Sequence, residues 1–284
     1  MTDTTLSSGV GRAALTREPT WLAGLSLSAL KGMLLRDLRV VVKTWPAFLM
    51  RTVMQPFLTV FVFAYVFPKI GQGVGGAGGE SAFSTMLVAG VLASVILFQG
   101  IQSVALPMVQ EFGFTKEIED RVLAPLPVEL VAVEKIIAGA VQCFISALIV
   151  FPIAKFVPAT PVDIQFNWPV LLTIAPLACV MSASLGLMFG TLFDPRSVPL
   201  LFGIILIPLT FLGCIYFPWQ SLQPIRWLQI LVLVNPLVYM SEAFRASLTA
   251  VPHMSLLAIY PVLTGFTAIF GWVGLHFFKR RVLA

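Results

Sequence analysis

The chain has 284 residues, of which 58% are hydrophobic and only 11% charged, with a formal net charge of +5 and a mean hydropathy of +0.95. Soluble domains carry about 25% charged residues, so this composition excludes one and indicates an integral membrane protein. Three cysteines, Cys143, Cys179 and Cys214, stand singly in apolar stretches, which leaves no CxxC metal or redox pair and no disulfide framework.

In chain order, residues 1–25 carry no apolar core of the signal-peptide kind and are expected to be a disordered tail without a cleaved leader. Residues 26–284 are expected to form a single transmembrane domain. From Ser26 to Thr44, Leu27, Leu30, Leu34, Leu38 and Val41 recur at helical spacing, while Arg36, Arg39 and Lys43 fall together on the other side. This pattern predicts an amphipathic interface helix whose basic face suits anionic lipid headgroups. Lys31 projects near the apolar stripe and must snorkel.

Six apolar runs are long enough to cross a hydrocarbon layer of ~30 Å: Pro46–Phe67, Phe83–Val109, Leu130–Val157, Pro169–Phe193, Ser197–Phe217 and Ser255–Phe278. The first contains Arg51, whose central placement would cost ~2.5–3.5 kcal/mol, but its Leu, Phe and Val residues return ~0.3–0.6 kcal/mol each. Orientation follows from the basic residues. With the N-terminus in the cytoplasm, only Lys69, Lys155, Arg226 and Arg245 of the 18 Lys and Arg fall outside, leaving fourteen inside. Both termini are therefore expected in the cytoplasm, and the basic excess records orientation; nucleic acid is not an expected partner.

The glycine-rich stretch from Gly71 to Glu80 lacks the Lys-Ser or Lys-Thr that closes a phosphate-binding loop and reads as a flexible linker. Between the second and third spans, Glu111–Pro127 gathers six charged residues into its first 11 positions. Phe114, Ile118 and Val122 form a narrow apolar stripe, and Lys116, Glu117, Glu119, Asp120 and Arg121 cover the rest of a short helix ended by Ala124-Pro125. It reads either as a surface helix with the charged rim of a protein contact or as a solvated loop with local Glu117–Arg121 pairing worth ~0.3–0.5 kcal/mol.

After the fifth run come Pro218 and Pro224, an apolar stretch from Ile225 to Val234 too short to span, then Asn235-Pro236 and a second helical patch to Leu248. Two half-length helices broken by proline predict a re-entrant hairpin. Tyr216, Trp219, Trp227 and Tyr239 suit the outer interface, and Glu242 with Arg245 reads as a surface ion pair at i, i+3. The only histidines are His253 and His276, and no HExxH or GxSxG motif occurs, so no catalytic, cofactor or metal site is expected. An ion-coupled transporter would need acidic groups inside the bilayer, whereas Glu129 and Glu134 sit at the start of the third run and Asp194 in a short loop.

Six spans, the amphipathic N-terminal helix, the charged segment ending in Leu123-Ala124-Pro125-Leu126-Pro127 and the stretch from Phe217 to Arg245 together resemble the permease subunit of type-2 ABC transporters. Within that family the chain is similar to bacterial drug-resistance, daunorubicin-exporter-like and nodulation-factor-exporter-like permeases. The resemblance implies that Phe114, Lys116, Glu117, Ile118, Glu119, Asp120 and Arg121 form a coupling helix seated in an ATP-binding subunit, two copies of which would bind ATP and Mg. It implies a second permease chain, identical or related. It also implies an outer gate built from Tyr216, Pro218, Trp219, Asn235, Pro236, Tyr239, Glu242 and Arg245. The expected activity is export of an amphipathic or hydrophobic substrate (drug, lipid or glycolipid) across the bacterial inner membrane, with a polysaccharide as the alternative cargo. Many relatives carry a Gly-Thr-Leu-Glu-like core in the coupling helix where this chain has Lys116-Glu117-Ile118-Glu119.

Overall fold

The computed structural model describes residues 20–70, 80–115, 128–159, 162–194 and 197–283, with helices and connecting segments but no strand among the described residues. Helix is the form a spanning segment takes in lipid, because each backbone N–H and C=O finds its partner within the segment. Helix α1 covers Thr20–Lys43, and α2 runs from Trp45 to Lys69. Helix α3 covers Glu80–Gln110 and ends in a wide turn at Glu111–Thr115. Then come α4 (Val128–Phe156), α5 (Trp168–Leu192), α6 (Val198–Phe211), α7 (Arg226–Leu231), α8 (Pro236–Leu248) and α9 (Leu256–Leu283). Helices α2, α5, α6 and α8 each have proline in their first two positions, where a missing N–H costs nothing.

Among the described residues, five helices, α2, α3, α4, α5 and α9, are long and apolar enough to cross a membrane, and the bent pair of α7 and α8 makes a sixth if it is counted as one span. Their bounds fall within a few residues of the expected runs, as hydropathy alone would place them. Buried residues make up 78% of the apolar window of α3 and 67% of that of α5, against 22% in α2 and 17% in α9. The core is therefore centred on α3 and α5, with α2 and α9 on the outside.

The structure differs from the sequence expectation at two places. Helix α1 starts at Thr20, ahead of Ser26, so residues 20–25 are helical; residues 1–19 lie outside the described residues. The fifth run was expected to be helical from Ser197 to Phe217, but α6 stops at Phe211 after 14 residues, ~21 Å of rise. Gly213 follows, and Cys214 adopts a left-handed φ of 52°, which ends helical propagation. The remaining residues to Phe217 are apolar but irregular.

Contacts between distant segments define two ends of the bundle. At one, Arg281 Nη1 of α9 donates to the carbonyl of Phe193 after α5 (2.9 Å), and its guanidinium lies 4.8 Å from the Phe112 ring. Lys279 donates to Glu129 at the start of α4 (2.6 Å). We call this the basic end, since α1 joins it through Lys135 of α4. At the opposite end, Pro68 has no N–H to give the Ala64 carbonyl one turn earlier, and the N–H of Ala159, just past α4, takes that acceptor at 3.0 Å.

Small residues bring the central helices together. A Cβ at Gly186 of α5 would lie 2.7 Å from the Gly100 carbonyl oxygen and 2.9 Å from that of Ile101, so the two backbones touch where α3 and α5 cross. A Cβ at Gly90 would land on the backbone of Ile215 in the irregular segment. Gly186→Val is therefore expected to lower unfolding stability by about 1–3 kcal/mol through overpacking. Gly203→Val, at a position open for 4 Å around, should leave it unchanged, as read from SDS titration in mixed micelles.

Candidate functional site

The break after α6 leaves backbone polar groups inside a protein interior, where each one without a partner costs several kcal/mol. Helix α8 supplies those partners. All thirteen of its residues are buried, yet it carries Asn235 at its cap, Ser241, Glu242 and Arg245. Asn235 Oδ1 accepts the Leu237 N–H (2.9 Å), capping the helix, while its Nδ2 donates to the carbonyl of Leu209 (2.7 Å), one of the last four of α6. Ser241 Oγ donates to the Gly213 carbonyl at 2.9 Å. Arg245 Nη2 donates to the carbonyls of Cys214 and, at 3.1 Å, Ile215.

Glu242 collects donors. Its Oε1 accepts from the Trp219 N–H (2.8 Å) and from Arg245 Nη1 (2.8 Å), and its Oε2 from the Met254 N–H (2.9 Å). Both members of the pair are 0% exposed. This corrects the surface ion pair expected from the i, i+3 spacing. The pair is buried because it serves backbone groups of three separate segments, which no surface pair does.

The other expected gate residues fall around this knot. Trp219 Nε1 donates to the Gln229 carbonyl (3.0 Å), and Tyr216 lies 4.9 Å from the Phe63 ring of α2. Pro218 leads directly into the short turn Trp219–Leu222, and Pro236 opens α8. Trp227 is exposed, as an interface residue would be. Tyr239 differs: it is buried, with its ring facing Phe266 of α9 (6.2 Å), because it stands on the side of α8 turned toward α9. Helix α7 with its following turn meets α8 at 96°.

At the basic end, Phe114 lies in the wide turn Glu111–Thr115, and Lys116, Glu117, Ile118, Glu119, Asp120 and Arg121 lie outside the described residues. The ends of α3 and α4 that flank this segment are held by a second buried knot. Lys135 Nζ, on α4, lies 2.8 Å from Glu111 Oε1 and 3.0 Å from Asp37 Oδ2 of α1. Lys135 is 4% exposed and Glu111 7%. Arg36, Arg39 and Lys43 are exposed, while Leu34, Asp37, Leu38 and Val41 are half-buried, so α1 presents its basic face outward. Asp37, Glu111 and Lys135 were not singled out from the sequence. The available signal was a lysine two turns inside an apolar run, which needs a partner when buried.

These features coincide with a known family. The sequence profile described as ABC-2 type transporter matches residues 28–249, which takes in most of α1, Asp37, Glu111, Lys135 and all of α8. The chain belongs to the ABC-2 type transporter family. This ABC-2 permease is similar to the inner membrane transport permease YadH of Escherichia coli K12 and to its counterpart in Shigella flexneri. Identity to each is 25% over 248 residues, covering 85% of this chain and 91% of the relative.

The two knots in the permease give separate expectations. Glu242→Ala strands the Arg245 charge and two N–H groups, and should cost about 3–5 kcal/mol in an SDS unfolding titration; Glu242→Gln, which keeps an acceptor, should cost less. Lys135→Met removes the ammonium that Asp37 and Glu111 share, and should raise hydrogen exchange across residues 30–43 while exchange in α8 stays at the wild-type level.

Proposed function

We propose that this ABC-2 permease is the transmembrane subunit of an ATP-driven exporter in a bacterial inner membrane. Residues 116–121 serve as the coupling helix on a separate ATP-binding subunit. One observation carries the reading: the helices flanking that charged segment are tied through Lys135, Glu111 and Asp37 to α1. A force on residues 116–127 thus reaches α1, α3 and α4 together instead of dissipating in a loose loop.

The remaining parts follow from this assignment. The basic end faces the cytoplasm with both termini, supported by the fourteen basic residues assigned to that side and by the positive-inside rule. Two ATP-binding subunits hold ATP and Mg, and a second permease chain, identical or related, completes the translocation unit. Large exposed apolar side chains on α2 and α6, among them Phe57, Phe61, Ile204 and Ile207, suit contact with that chain or with lipid. Helices α7 and α8, bent at 96°, form the re-entrant outer gate, and α1 is the interface helix. Closure of the motor on ATP shifts the conformational balance only by its differential affinity for the two states.

The cargo is an amphipathic or hydrophobic molecule of the drug, lipid or glycolipid class, consistent with a drug-resistance role. Ion coupling is disfavoured by Glu242, whose carboxylate is committed to two N–H groups and a guanidinium and so is poorly placed to carry a proton. Reversing Glu117, Glu119 and Asp120 to Lys together should abolish co-purification of the ATP-binding subunit and ATP-driven export while leaving membrane insertion intact. Normal export by that variant would defeat the coupling-helix assignment.

A further inference from the structure

A cavity of about 590 Å³ opens between α1, α2, α3 and α4. Its wall carries Arg36, Arg51, Gln102 and Gln142 beside the Lys135 knot. A second space of about 20 Å³, large enough for one water-sized group, lies among Arg51, Thr52, Gln99 and Gln102. Arg51 and Gln102 border both, so the small space adjoins the large one.

Two donors meet there without acceptors. Gln99 is 4% exposed; its Oε1 accepts from the Thr52 hydroxyl (3.4 Å), and its Nε2 has no partner among the described residues. Arg51 stands in the second turn of α2, ~9 Å along the axis from Trp45, and no carboxylate among the described residues lies within 4.0 Å of it. Its side chain is exposed and lines the cavity, so a ligand entering there can reach the guanidinium. Water could fill the 20 Å³ but would leave the guanidinium charge unmatched, whereas an anionic oxygen meets both requirements.

The surroundings indicate what carries that oxygen. Along the cavity wall, Lys135 is taken up by Asp37 and Glu111, and with Arg36 and Arg51 the wall holds one more positive than negative charge. Apolar Val40, Val41, Phe48 and Leu106 share the same wall, so charge and hydrocarbon can be received side by side. The exposed basic face of α1 stands next to the opening and gathers acidic amphiphiles at the membrane surface. The planar fork of arginine matches the paired oxygens of a phosphate.

We infer that Arg51 and Gln99 bind the acidic, phosphate-bearing head group of a membrane amphiphile that enters through the cavity between α1, α2, α3 and α4. That this amphiphile is cargo rests on the exporter reading above; that it binds does not.

The test is native mass spectrometry of the purified permease, with whatever subunit accompanies it, in nonionic detergent with equimolar phosphatidylglycerol and phosphatidylcholine. The wild type should retain phosphatidylglycerol on the order of fivefold over phosphatidylcholine, corresponding to ~1 kcal/mol. Arg51→Gln and Gln99→Leu should each bring that ratio to parity, Arg51→Lys should restore most of it, and Lys69→Gln, exposed at the far end of α2 and outside the cavity, should not change it. Monodisperse elution of each variant establishes that it is folded.

Equal retention of the two lipids by the wild type, or an unchanged preference in Arg51→Gln, would overturn the site. Full displacement of phosphatidylglycerol by millimolar inorganic phosphate would assign it to the free ion and overturn the head-group assignment. No nucleotide enters the measurement, so its failure is separable from failure of the coupling-helix variant.

Discussion

The structure depends on one requirement: the irregular chain after α6 must have its backbone groups satisfied away from water. Helix α8 meets it with side chains. Asn235, Ser241 and Arg245 cover the carbonyls of Leu209, Gly213, Cys214 and Ile215, and Glu242 receives the N–H groups of Trp219 and Met254. A buried ion pair is commonly no more stabilising than a hydrophobic substitute of the same shape. Here the comparison changes, because hydrophobic residues would leave three backbone groups of the irregular chain, and the Met254 N–H beyond α8, without partners. The Glu242–Arg245 pair is held in place by what it does for other segments as much as by its own attraction.

The second knot answers a different requirement. At the basic end α1, separated from α3 by α2, must meet α3 and α4, which have a charged segment between them, and the apolar stripe of α1 gives only a half-buried contact. Lys135 adds direction to that contact, since its ammonium reaches carboxylates on both α1 and α3. The exposed Lys279–Glu129 pair nearby contributes little by comparison, because water screens it. Burial separates the two cases although their distances are similar.

The long spans could be read from the sequence because hydropathy over about 20 residues is a local quantity. α3, α4 and α5 begin and end close to the apolar runs for that reason, and the short helices on either side of Asn235-Pro236 were legible from proline placement. The early end of α6 was not, because hydropathy measures affinity for lipid and says nothing about the left-handed turn at Cys214. Nor was the depth of Glu242 and Arg245. Their mutual spacing is local, but the carbonyls that bury Arg245 lie 30 and 31 residues away. Lys135 was hidden in the same way, its partners standing 24 and 98 residues distant. Residues 116–121, the most distinctive charged run in the chain, lie outside the described residues, so the structure speaks only for the helices that hold them.

Helix α3 connects the two knots. Near one end Gly90 abuts the backbone of Ile215, inside the segment that α8 satisfies; at the other Glu111 holds Lys135. The 21 residues between them span ~32 Å of continuous helix. Close to the midpoint, Gly100 is pressed against Ser182 and Gly186 of α5 without a side chain to cushion the contact. A rod held at its middle cannot absorb displacement by sliding. Pro107 lies between that contact and Glu111 and removes one backbone hydrogen bond, so the arm toward the basic end can bend. At the other arm, the Ile215 carbonyl beside Gly90 accepts from Arg245. The close crossing of α3 and α5 thus stands about midway along α3 between two polar clusters that share no residue.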